Sequence, residues 1–213
     1  MAETPIAEQL NGLLAQAGLP LANEDLAGKL EAYLRLLVRW NARMNLTAVR
    51  DPAGILTRHF LESIECARSL PAGITTLLDF GSGAGFPGIP IALCRPEIAV
   101  TLAESQGKKA AFLQEAVRTL GISTVVHSGR AESLRNGFDC VTLRAVDKMP
   151  EAVRAASRLV APGGWLALMT TEAELERVNA AGDFAEAGFA VHPLRGSDHQ
   201  VLALALKTQS LNP

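Results

Sequence analysis

The sequence predicts an α/β protein: a seven-stranded, mostly parallel sheet closed by a C-terminal antiparallel hairpin, with an N-terminal helical extension. Three observations carry this. From Ile74 onward, apolar strand-like runs alternate with stretches of helical period. The run from Leu77 through Gly85 joins the first of those strands to a helix through Gly81, Gly83 and Gly85, a turn nearly stripped of Cβ atoms. Near the end, Phe189–Leu194 and Val201–Leu206 flank a polar turn at Gly196-Ser197-Asp198, and so short a link allows only antiparallel pairing.

The elements follow in order. Thr4-Pro5 is a cap with proline at the first helical position, and Leu10, Leu13 and Leu14 follow before Gly18 stops the helix. A second helix opens at Asn23 with Glu24 and Asp25 in its first turn. Leu26, Leu30, Leu34, Leu37 and Asn41 line one face, and Arg35, Arg39 and Arg43 make a basic stripe on another. Asp51-Pro52 starts a third helix, with Ile55, Leu56 and Phe60 on one face, ending before Leu70-Pro71. Strands are expected near 75–79, 98–104, 123–127, 138–143 and 165–170, and helices near 86–94, 107–120, 149–160 and 172–187. Pro162-Gly163-Gly164 reads as a turn before the fifth strand. The expected division is a helical subdomain over 1–70 and a catalytic α/β domain over 71–213.

Composition narrows the class. With 213 residues, 48% hydrophobic and 20% charged, the chain has an ordinary globular make-up. No apolar run approaches membrane-spanning length and the N-terminus lacks a basic signal start, so a cytoplasmic, membrane-free, monomeric protein is expected. Cys66, Cys94 and Cys140 lie far apart and read as reduced packing residues. His59, His127, His192 and His199 show no metal spacing, so no metal is expected. The net charge of −2 argues against indiscriminate nucleic-acid binding, but residues 29–58 and 105–160 each carry an excess of four positive charges. Two basic zones flanking the glycine turn suit one face toward a polyanion.

The turn itself carries chemistry. Its spacing is G-x-G-x-G, with Phe86 where a dinucleotide fingerprint has its third glycine, and Asp79 precedes it. A carboxylate beside the cradle would repel a pyrophosphate but suits a ligand bearing an amino group and a sulfonium, such as S-adenosylmethionine. Glu104 ends the second strand about 25 residues on, where one carboxylate can grip both hydroxyls of a ribose. Ala131-Glu132, just past the third strand, can hold an adenine. Arg144, ending the fourth strand, can pair with a methionine carboxylate or a substrate phosphate. Five parallel strands and a closing hairpin match the Rossmann-like class I methyltransferase sheet better than a six-stranded dinucleotide fold.

Together these residues resemble the glucose-inhibited division protein B family, the ribosomal RNA small-subunit methyltransferases G. The resemblance runs from about Leu34 to the C-terminus. It rests on Asn45-Leu46-Thr47-Ala48-Val49, Arg58-His59 with Glu62-Ser63, Gly81 through Pro90, Gly107-Lys108-Lys109 with Phe112-Leu113, Arg130-Ala131-Glu132 and Arg144-Ala145. It implies methyl transfer from S-adenosyl-L-methionine to N7 of a guanine in small-subunit ribosomal RNA, naked or in the 30S particle. It also implies cofactor contacts from Asp79, Gly81, Gly83, Gly85, Phe86, Glu104, Ala131, Glu132 and Arg144. Substrate contacts would come from Arg39, Asn45, Arg58, His59 and Arg144. N7 has an in-plane lone pair, so no general base is required and positioning matters most.

The chain departs from the family's usual residues at four places. Glu62 stands for an aspartate, Leu143 for a serine before the arginine, Thr170-Thr171 for Lys-Gly, and Asp198-His199 for Arg-His. Three other readings stay open at this point: a diverged methyltransferase of another RNA or a small molecule, a non-catalytic ribosome-associated protein, and a dinucleotide-dependent oxidoreductase.

Overall fold

A computed structural model describes residues 4–180, 188–195 and 199–208. The sheet has seven strands: β1 (Thr76–Phe80), β2 (Ala99–Ala103), β3 (Val125–His127), β4 (Phe138–Arg144), β5 (Val160–Thr171), β6 (Ala190–Pro193) and β7 (Gln200–Leu206). Their order is β3-β2-β1-β4-β5-β7-β6, with β1 to β5 parallel and β7 antiparallel to both β5 and β6. The expected sheet and hairpin are therefore present. The strand order reverses between β1 and β4, and ligands bind at the carboxyl ends of strands beside such a switch point.

Helical starts follow their local chemistry. The Asn23 side chain accepts from the Leu26 N–H at 2.9 Å to open α2 (Glu24–Asn41), after α1 (Ile6–Gln16). Asp51 accepts from the Gly54 N–H at 2.6 Å to open α3 (Pro52–Ile55), which runs without a break into a π-helical turn at Leu56–Leu61 and then α4 (Glu62–Ser69). The single third helix expected from periodicity thus carries an inserted π turn, a feature often found at functional sites. It holds Arg58 and His59, while Phe60 and Leu61 stay buried.

Two apolar layers sandwich the sheet. Leu77, Cys140, Ala167 and Leu202 face one cluster, whereas Leu78, Val141, Leu168 and Ala203 face the other, the two-residue alternation of a sheet covered on both sides. On the first face lie α1 to α4, α5 (Gly88–Cys94) and α6 (Gly107–Leu120); the second cluster includes residues of α7 (Met149–Ser157) and α8 (Glu172–Ala180). The helices of residues 1–70 share their core with the sheet, and Tyr33 is the link. It lies 5.2 Å from Phe86 and 5.3 Å from Phe60, ring centre to ring centre, and its hydroxyl donates to the Ala84 carbonyl in the glycine turn.

Three of the differences from the sequence reading concern β3, α7 and β5. Strand β3 is shorter than 123–127, and α7 stops at Ser157 because Val160 joins β4 opposite Phe138. Pro162-Gly163-Gly164 is not a turn ahead of β5 but an irregularity inside it: Phe138 pairs with Val160 and Cys140 with Trp165. Glycine is required there, since a Cβ on Gly164 would press within 2.9 Å of the Ala161 and Asp139 carbonyls. Helix α8 is described to Ala180. The remainder of the expected 172–187 helix and the turn at 196–198, with the Asp198 departure, lie outside the described residues.

Candidate active site

Strand β1 delivers Asp79 to the switch point, and the turn after it folds back over the strand. Gly81 has φ +71° and Gly83 φ +57°, conformations that glycine adopts without the Cβ penalty. A Cβ on Gly81 would sit 3.0 Å from Val146. Strand β2 delivers Glu104, whose carboxylate accepts from the Gly83 N–H at 2.9 Å and the Gln106 N–H at 2.7 Å. Glu104 is 6% exposed and reaches across the two strand ends. It fixes the turn and borders a cleft of about 540 Å³, which Gly81, Gly83 and Phe86 also line.

The opposite wall comes from the helical extension. Asn41, polar on an otherwise apolar face, accepts from the Leu46 N–H at 2.9 Å and the Thr47 N–H at 3.1 Å, and donates to the Thr47 carbonyl at 3.2 Å. One buried amide thus shapes the loop Leu46–Val49, which lines the cleft. The Thr47 hydroxyl meets His59 Nε2 at 2.7 Å, and the His59 ring stacks on Phe86 with centres 5.0 Å apart. His59 Nδ1 is buried without a hydrogen-bond partner. Burial, with Arg144 and Arg58 adding charge repulsion, pulls the imidazole down to about 4, so it is neutral near pH 7.

The other expected residues lie elsewhere or are engaged within the protein. Asp79 is 1% exposed and does not line the cleft. Its carboxylate accepts from the Thr142 hydroxyl at 2.9 Å and from the Gly88 N–H at 3.2 Å. The protein's own carboxylate meets the start of α5, so Asp79 holds the turn in place. Gly85 packs inward, where a Cβ would strike Tyr33 and Ile89. Ala131 and Glu132 lie in the 3₁₀ turn after β3, with Ala131 buried in the second core cluster, and neither lines the cleft. Arg39 does not reach it either: its guanidinium pairs with Glu115 of α6 at 2.5 Å. Asn45 accepts from Arg50 at 2.7 Å and stays outside the lining.

Arg144 does line the cleft, but its guanidinium is committed within the protein. It pairs with Glu62 at 2.5 Å and donates to Ser63 Oγ at 3.2 Å and to the Arg58 carbonyl at 2.5 Å. The end of β4 is thereby bolted to the π turn and α4, and Glu62, longer than the family's usual aspartate, supplies the bolt. Of the expected residues, Gly81, Gly83, Phe86, Glu104, Arg58, His59 and Arg144 come together on one cleft. Sequence reasoning missed Thr47, Gln106, Lys109, Val146 and Asp147, which also line it. Thr47 and Lys109 were within reach, since both lie inside motifs that carry the resemblance.

The family described as rRNA small subunit methyltransferase G matches residues 26–192. The chain belongs to that family. A ribosomal RNA small subunit methyltransferase G of Xanthomonas campestris pv. campestris is 42% identical over 188 residues, covering 87% of this chain and 85% of the relative. One of Stenotrophomonas maltophilia is 45% identical over 167 residues, 77% and 76% of the two chains. Solved structures agree on the fold alone. A SAM-dependent O-methyltransferase from Thermotoga maritima superposes with TM-score 0.58 at 15% identity, over 83% of this chain and 73% of that one. An O-methyltransferase family protein from Burkholderia thailandensis gives 0.58 at 11% identity, over 88% and 61%. The Rossmann-like class I methyltransferase fold and the resemblance read from the motifs are both confirmed.

Within this methyltransferase G fold, Asp79 and His59 set opposing pH responses. Burial raises Asp79 from 3.8 to about 6, against the hydrogen bonds from Thr142, Ser82 and Gly88 that lower it. Between pH 4 and 6 the folded state then holds more protons at Asp79 than the unfolded state, so this group's contribution falls as pH rises, by about 3 kcal/mol in all. His59, lowered from 6.5, holds fewer protons when folded, so its contribution rises over the same window. The two nearly cancel in the native chain. Urea titrations of Asp79→Asn at pH 4 and pH 6 are expected to show stability rising more steeply with pH than in the native chain. Parallel slopes for the two proteins would contradict the assignment.

Proposed function

We propose that this chain transfers a methyl group from S-adenosylmethionine to N7 of a guanine in small-subunit ribosomal RNA. The observation that carries the reading is the Gly83–Glu104 clamp bordering a 540 Å³ cleft at the sheet's switch point, in a member of the methyltransferase G family. The residues present fit such a cofactor. The glycine turn leaves Cβ-free backbone along the cleft, Glu104 keeps lone pairs for ribose hydroxyls, and Phe86 and Leu46 offer apolar surface to a base. When bound, S-adenosylmethionine supplies an electrophilic methyl group on a sulfonium.

The chain's own part is placement. Glu104 and the turn hold the donor's nucleoside, and the stacked His59–Phe86 pair forms part of the wall toward the acceptor. His59 is neutral, and N7 needs no base because no proton leaves it; the acceptor brings its own lone pair to an aligned carbon. A flat, uncharged imidazole next to Arg58 suits an RNA base presented from a loop, with its phosphate near the arginine.

Mapping of 7-methylguanine in small-subunit RNA, by mass spectrometry of nuclease fragments with and without the purified protein, tests the proposal. Substoichiometric or absent gain on RNA lacking the modification, despite one-to-one S-adenosylmethionine binding by calorimetry, would overturn the RNA assignment. One observation favours a second reading, a diverged methyltransferase of another acceptor. Thr170 and Thr171 line the neighbouring cleft where many members of the family carry Lys-Gly. Methyl transfer to a metabolite and not to RNA would select it.

A further inference from the structure

On the far side of the segment Arg144–Asp147 lies a second cleft of about 620 Å³. The two clefts share Arg58, His59, Arg144, Ala145, Val146 and Asp147, so they adjoin along that lining. Their floors differ. The first is built at the ends of β1 and β2, and the second at the ends of β4, β5 and the start of β7, with Met169, Thr171 and Gln200 among its lining. The shared segment has an unusual backbone conformation: Ala145 has φ +47° and Lys148 φ +52°, two left-handed non-glycine residues bracketing Val146 and Asp147. Such conformations persist only where the surroundings enforce them, and they concentrate at functional sites.

The acids around the two clefts are committed, with one exception. Glu104 is held by two backbone N–H groups, Glu62 pairs with Arg144, and Glu174 pairs with Arg177 at 2.6 Å. Asp147, which lines both clefts, makes no hydrogen bond or ion pair among the described residues.

We propose that the second cleft receives the acceptor nucleotide as an unstacked purine, and that the Asp147 carboxylate faces its five-membered ring. This rests on the methyl-transfer reading above. An in-line displacement needs the acceptor in a cavity contiguous with the donor's, on the side away from the leaving sulfur. The shared lining at 144–147, with Arg58 and His59, brings the two clefts together in that way. In the reacting complex the N7 lone pair forms the new nitrogen–carbon bond while the carbon–sulfur bond breaks. That electron pair stays on sulfur, and no proton is lost. The positive charge moves from sulfur to the purine ring. A carboxylate beside that ring interacts more strongly as the charge arrives, and so lowers the barrier. The apolar side of the cleft, Met149 and Met169, gives the base thioether surface to lie against.

The experiment uses the full chain, S-adenosylmethionine and small-subunit RNA lacking the modification, with Asp147→Asn and Gln200→Trp. Gln200 lines only the second cleft, where an indole would fill space meant for the base. Expected for Asp147→Asn is a fall in kcat of about five- to tenfold with little change in KM for RNA. Expected for Gln200→Trp is a large rise in that KM or loss of transfer. Gln200→Trp keeps native S-adenosylmethionine affinity by calorimetry. Saturation-transfer NMR with guanosine monophosphate, in the presence of S-adenosylhomocysteine, is expected to show binding to the native chain and none to Gln200→Trp. Native kinetics in both variants, or loss of S-adenosylmethionine affinity in Gln200→Trp, overturns the assignment of this cleft. A native chain that binds guanosine monophosphate in a Gln200→Trp-sensitive manner yet leaves ribosomal RNA unmethylated overturns the RNA activity and upholds the purine cleft.

Discussion

Arg144→Met is expected to lower the free energy of unfolding by about 3–5 kcal/mol, the largest single loss outside the apolar core. The substitution keeps bulk and removes charge. Glu62, 1% exposed, loses the guanidinium it pairs with at 2.5 Å, while Ser63 Oγ and the Arg58 carbonyl lose their donor. Breaking one side of a buried pair is costly because the other charge stays in a medium that solvates it poorly. Burial lowers the Arg144 guanidinium from its ordinary value while Glu62 opposes that, the pattern of a charge held inside by its partner. Urea unfolding at neutral pH measures the loss. The double variant Glu62→Leu with Arg144→Met is expected to recover part of it, since the buried carboxylate that lost the guanidinium is gone too. A single-variant loss below about 1 kcal/mol would show the pair to be solvated and of little structural weight.

Glu104→Ala is expected to weaken S-adenosylmethionine binding by at least about 100-fold while leaving a folded protein. Two charge-assisted hydrogen bonds to ribose hydroxyls, each worth about 1.5–3 kcal/mol, account for that factor. A further loss comes from the turn, since the Gly83 and Gln106 N–H groups lose the acceptor that holds them. Glu104→Gln separates the two effects. Its amide oxygen can still accept from one N–H but grips the diol less well, so its affinity is expected to lie between the other two. Calorimetry on the three proteins reads the order directly; equal affinities would remove Glu104 from the cofactor site.

The way these two residues were read from sequence differs. Glu104 follows from a local rule, since an acid at the end of β2 lands at the carboxyl edge of a parallel sheet whatever the rest of the chain does. Arg144 was equally easy to place at the end of β4, yet its partner was not, because Glu62 lies 82 residues earlier on a helix with its own phase. That phase is itself non-local. The π turn at Leu56–Leu61 shifts the register between α3 and α4, and an apolar period of 3.6 does not announce it. Asn41 shows the same limit: its place on an apolar face was legible, but not that its amide would organise the loop Leu46–Val49.

What the chain alone determined is the punctuation and the family: caps at Asn23 and Asp51, the glycine turn after β1, strand ends at Glu104 and Arg144, and motifs dense enough to match. These are properties of a few adjacent residues, written in backbone freedom and side-chain period. Folding decided which partner each charge meets. Asp79 turned to Thr142 and Gly88, Ala131 went into the core, Arg144 was spent on Glu62, and the segment 144–147 came to line two adjoining clefts. Each of these depends on what arrives from distant elements to satisfy a buried polar group, and a polar group out of water takes whichever partner packing brings within reach.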